Sequence, residues 1–62
     1  MNVTVIDTYT DKRECDRMWL EYAEILRRTG KTPRYAVRRR KVRVRNRVMP
    51  LYRLELVDHE SE

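Results

Sequence analysis

The spacing of apolar residues predicts an α+β fold: a small β-α-β-β domain with a three-stranded mixed sheet, one amphipathic helix packed on one face, and a long basic C-terminal hairpin. Three observations predict it. The chain opens on a β-branched run, Val3-Thr4-Val5-Ile6, which favours a strand. Apolar residues then recur at helical spacing from Cys15 to Leu26. From Tyr35 the period falls to two.

The first strand is expected over residues 2–9, with Val3 and Val5 on one face. A helix follows over about 11–29. Asp11 suits its N-cap, and Glu14 three residues later completes a capping box. Cys15, Met18, Trp19, Tyr22, Ile25 and Leu26 share one face, so Trp19 is expected largely buried between helix and sheet. Arg27 and Arg28 suit the negative end of the helix dipole. Gly30 supplies the C-terminal cap, and Pro33 stops the helix from resuming.

Two further strands are expected, over about 34–45 and 48–57, followed by an acidic tail at 58–62. Each strand changes its apolar face once. Tyr35 and Val37 share one face, and Val42 and Val44 the other; Met49 and Leu51 oppose the face of Tyr52, Leu54 and Leu56. A two-residue turn at Asn46-Arg47 removes the need for bulges. It sets Val44 opposite Met49, Val42 opposite Leu51, Arg39 opposite Leu54 and Val37 opposite Leu56, so both strands swap faces at the same height. Tyr35, Val37, Leu54 and Leu56 then face the helix. Val42, Val44, Met49 and Leu51 form an apolar patch on the reverse face, which marks a candidate protein interface. A crossover from the first strand to the second makes that pair parallel, hence the mixed sheet. Pro50 suits an outer edge.

A domain of 62 residues buries only about 60% of the surface its unfolded chain exposes, so its core is marginal and a second subunit is a natural supplement. A homodimer through the patch is expected. No apolar run is long enough for a signal peptide or a membrane span, and the expected location is cytoplasmic.

Charge is segregated. Residues 27–53 carry twelve positive charges and no negative one, whereas residues 1–26 hold six acids against three bases and residues 54–62 hold four acids and no base. The net charge of +5 hides this block. Such a block repels itself, and an anionic partner offsets the repulsion. Arginine outnumbers lysine in it by ten to two, and planar guanidinium forks suit phosphate oxygens.

No catalytic signature is present, and the chain is not expected to be an enzyme. Cys15 on the apolar helix face reads as a small buried hydrophobe, and His59 lies in the acidic tail. One cysteine cannot close an intramolecular disulfide. Asp7, Asp11, Glu14 and Asp16 match no metal-binding spacing, so neither metal nor cofactor is expected.

These features predict a small non-enzymatic nucleic-acid-binding protein, regulatory or architectural, contacting the phosphates of DNA or RNA. The contact residues are Arg38, Arg39, Arg40, Lys41, Arg43, Arg45, Arg47 and Arg53. Arg38, Arg40 and Arg53 are expected to point away from the helix, and Lys41, Arg43, Arg45 and Arg39 to the other side, beyond its reach. The alternative is a small inhibitor or adaptor docking on an acidic surface of a larger protein complex. Attachment to a membrane surface is not expected, because the polar side of the helix is not strongly basic.

Overall fold

The computed structural model describes residues 1–60, so Ser61 and Glu62 of the expected acidic tail lie outside the described residues. The element order is β1 (Asn2–Tyr9), α1 (Lys12–Arg28), β2 (Tyr35–Val42) and β3 (Leu51–Asp58). The fold is α+β, with three antiparallel strands in an open sheet and one helix.

The strand order is β1-β3-β2, and every neighbouring pair is antiparallel. This corrects the mixed sheet expected from the crossover. β1 and β2 do run the same way, but β3 lies between them, so no parallel pair forms. Composition favours this order. β3 holds Leu54, Glu55 and Val57, all buried, and a strand buried on both faces belongs in the centre. β2 carries Arg38-Arg39-Arg40-Lys41, and a charged run suits an edge, where it discourages pairing with another chain. Pro50 is therefore not on an edge strand. It is buried one position before β3 begins, so no N–H is missing from the ladder.

The β2–β3 register is the expected one. Val37 pairs with Leu56, Arg39 with Leu54, and Val42 with Leu51, without a bulge. The ladder does not reach the expected tip. Pairing ends at Val42–Leu51, and residues 43–50 form a loop. A two-residue hairpin turn favours positive φ at its centre, and no non-glycine residue here adopts it. A turn forms one position earlier instead, with the Arg47 N–H donating to the Val44 carbonyl at 3.1 Å. In β1 the register slips between Val5 and Asp7. Ile6 and Tyr9 thereby pack against the core, while Val3 and Val5 remain exposed.

Helix α1 begins where Asp11 caps it, its Oδ1 accepting from the Arg13 N–H at 2.9 Å. It ends in paired backbone bonds, Gly30 N–H to Arg27 O (3.3 Å) and Lys31 N–H to Leu26 O (3.0 Å). That geometry needs a left-handed residue, and Gly30 has φ of 70°. Leu26, Val37 and Leu54 form the buried core, flanked by Met18, Trp19, Tyr22, Tyr35 and Leu56. Ile25, expected on the apolar face, is exposed. Among the described residues no helix is long and apolar enough to cross a membrane.

Candidate functional site

The acid-free block divides into a neutralised part and an unpaired part. At its N-terminal end Arg27 and Arg28 pair with Glu24 along the helix. Arg34 reaches Asp58 at 3.3 Å and Glu60 at 3.8 Å. Its guanidinium pKa is raised, first by the hydrogen bond to Asp58.

The sheet face turned away from α1 carries a triad. In the β2–β3 register Arg38 is opposite Glu55. Arg38 Nε donates to Glu55 Oε1 at 2.7 Å, and Arg53 Nη1 lies 3.6 Å from Oε2. Glu55 is only 2% exposed. Burial alone would raise its pKa, yet the pKa is lowered, chiefly by the Arg38 hydrogen bond and then by the charges of Arg38 and Arg40. The carboxylate is thus ionised and committed to internal pairing. Arg38 and Arg53 point away from the helix as expected, but their charge is shared with Glu55.

Glu55 also sets a pH dependence. Its folded pKa lies below that of the unfolded chain, so its stabilisation is complete at neutral pH and is lost as pH falls below about 4.5. Glu55→Gln should cost about 1.5–3 kcal/mol at neutral pH, the size of a charge-assisted hydrogen bond. The gap to wild type should narrow as the solution is acidified. Urea melts across the acid range test this, and parallel profiles for the two proteins would contradict it.

Arg39 differs from expectation. It lies within reach of the helix, with its guanidinium carbon 4.1 Å from the Trp19 ring centroid and Nη1 donating to Asp16 Oδ1 at 2.9 Å. The side is the expected one, and the reach is what differs. Arg39 is opposite Leu54 and two residues from Val37, so it shares their helix-facing side. Trp19 is half-buried rather than enclosed, and its indole N–H donates to the Val37 carbonyl at 2.7 Å.

Six cations of the block form no salt bridge among the described residues. Lys31 lies just beyond the helix, and the other five are Arg40, Lys41, Arg43, Arg45 and Arg47, all exposed. These five lie together at the last residues of β2 and in the loop that follows. Beside them is a cleft of about 250 Å³ lined by Lys12, Cys15, Asp16, Arg39, Arg40, Lys41 and Tyr52. Cys15 is buried in its wall, and burial followed by the Asp16 charge raises its thiol pKa. The sulfur is therefore held as a thiol and is a poor nucleophile at neutral pH. His59 is placed at the other end of the sheet, where its N–H donates to the Arg34 carbonyl at 2.8 Å. The described residues contain no group of three metal-ligating side chains.

Of the candidate interface residues, Val42 and Leu51 close the ladder and are half-buried. Val44 and Met49 lie in the loop and are exposed, Met49 at 66%. The sequence reading did not single out Val48, which is 92% exposed in the same loop. It also missed Glu55 as the anchor of two arginines, although the register that places Val37 opposite Leu56 places Arg38 opposite Glu55. No protein family, curated protein or solved structure matches this chain.

Proposed function

We propose that the chain is a small non-enzymatic nucleic-acid-binding protein that contacts the phosphate backbone through Arg40, Lys41, Arg43, Arg45 and Arg47. The observation that carries this reading is the division of the basic block: the arginines nearer the core form salt bridges with carboxylates, and these five form none among the described residues. Keeping like charges clustered and exposed costs stability, and counter-anions offset that cost. Four of the five are arginines, which hold phosphate oxygens by two hydrogen bonds at once. Arg38, Arg39 and Arg53 then act as positioning residues, because their guanidiniums are engaged within the fold. Contacts of this kind fix orientation and carry no base information, which suits a regulatory or architectural role.

A second reading is favoured by the exposed apolar residues of the loop. Val44, Val48 and Met49 among cations fit docking on an acidic protein surface with an apolar centre. Fluorescence anisotropy of a labelled duplex at low salt separates the two. Saturable binding that weakens steeply with salt supports nucleic acid, and undetectable binding to both DNA and RNA moves the basic loop to the protein partner.

The first reading also has the chain act as a homodimer, with Val42 and Leu51 at the seam. These two residues lie side by side on the sheet face that no helix covers. Sedimentation of the free protein should show a dimer. Leu51→Asp should give a monomer with unchanged circular dichroism. A wild-type monomer at millimolar concentration removes the homodimer.

A further inference from the structure

Val48 and Met49 stand out against the rest of the surface. They are 92% and 66% exposed in a chain whose core is small. Their presentation is held from both sides. The Val44–Arg47 turn precedes them, closed by its backbone hydrogen bond, and the buried Pro50 follows them, one position before β3. The pair is thus carried on a short loop between a closed turn and a fixed anchor. Arg43, Arg45 and Arg47 precede it in the same loop, and none forms a salt bridge among the described residues.

An occupant of this loop must offer dense negative charge and an apolar interior within a few ångströms of each other. Duplex DNA does so, with phosphates outside and stacked bases inside. An anionic bilayer does so as well. Two side chains bury too little apolar surface to anchor a protein in lipid without a second signal, and the polar side of α1 supplies none. Arginines entering a narrow minor groove, with an apolar side chain between base steps, form a recognised physical combination. Resting on the phosphate-contact reading above, we propose that Val48 and Met49 act as an apolar wedge that enters the minor groove of duplex DNA between base pairs and bends it.

The arginines and the wedge have separable effects. Phosphate contacts set the salt slope of binding, because each releases counterions. Unstacking sets the bend and a preference for steps that open readily, such as TA. The test uses a duplex of about 25 base pairs, long enough for a bend to shorten its ends measurably. It carries a donor and an acceptor dye at its two ends and a central TA step. Wild-type protein should raise energy transfer on binding, and replacing the central TA step by AT, which opens less readily at the same base composition, should weaken binding several-fold. Val48→Ala with Met49→Ala should keep the wild-type salt slope and circular dichroism while losing the rise in energy transfer. Binding without a change in energy transfer, or full bending by the double variant, overturns the wedge and leaves the phosphate reading standing. Absence of duplex binding overturns both. Vesicles of phosphatidylserine and phosphatidylcholine form the last arm: capture by vesicles but not by duplex, abolished in the double variant, assigns the loop to a membrane surface instead.

Discussion

Replacing Trp19 with alanine should remove about 3 kcal/mol of stability, the low end of the range for a buried aromatic, because the ring is only half-buried. Three contributions are lost together. The ring packs against the Leu26–Val37–Leu54 core, its N–H satisfies the Val37 carbonyl, and its face carries the Arg39 guanidinium. A chain of this length has about 3–9 kcal/mol in total at the usual stability per residue. The variant should therefore retain at most about 6 kcal/mol, and at the lower end of that range it is largely unfolded. Trp19→Phe keeps most of the packing and removes only the donor, so it should cost about 1–2 kcal/mol. Urea denaturation followed by circular dichroism distinguishes the variants. With a slope of about 1 kcal/mol per molar urea for so small a domain, the alanine midpoint should fall by about 3 M. A midpoint within a few tenths of a molar of wild type would mean that the helix is not held to the sheet through Trp19.

The parts of the fold legible in the sequence are those governed by local physics. Asp11 and Gly30 mark the helix ends because cap chemistry is local. The stripe from Cys15 to Leu26 gives its buried face, and Ile25 fails only because it sits on the margin of that stripe. The β2–β3 register was legible for a different reason. Both strands change apolar face, and only one register lets them change at the same height. Strand order was not legible. The connection from β1 to β2 fixes their relative direction but leaves open which strand lies between them. The β1 bulge was also hidden, since Val3-Thr4-Val5-Ile6 gives no sign that Ile6 and Tyr9 turn to the core together.

The site was legible as a region and not as a set of contacts. The acid-free run from Arg27 to Arg53 is plain in the sequence. Which of its cations are spent internally depends on carboxylates that become neighbours only on folding. Asp16 on α1 meets Arg39 on β2, and Glu55 on β3 meets Arg38 across the ladder. Arg39 was expected on the side opposite Arg38, and only its distance from the helix was misjudged. The turn at Asn46-Arg47 was one residue late because a two-residue hairpin was assumed where the ladder stops short.

Removing the loop arginines should produce the largest functional effect. Arg43→Ala, Arg45→Ala and Arg47→Ala together should weaken duplex binding by on the order of 100-fold near 0.1 M salt, because three phosphate contacts and their counterion release are lost. The fold should be unaffected, since all three side chains are exposed and make no ion pair among the described residues. Circular dichroism and the urea midpoint should match wild type. The informative comparison is a second triple variant, Arg27→Ala, Arg28→Ala and Lys31→Ala. It removes the same three charges from the same acid-free block, but at the other end of the sheet, where Lys31 accepts the Tyr35 N–H through its carbonyl.

Anisotropy of a labelled duplex, titrated with wild type and both triple variants over a series of salt concentrations, separates placement from net charge. Placement of the contacts in the loop requires the log–log slope of the loop variant to flatten by about 2.7, three contacts at about 0.9 each. The slope of the Arg27/Arg28/Lys31 variant should stay within about one contact of wild type. Equal flattening in the two variants would mean that the chain binds through its overall charge and has no site. A loop variant indistinguishable from wild type, or no wild-type binding to DNA or RNA at low salt, would contradict phosphate recognition by these five cations.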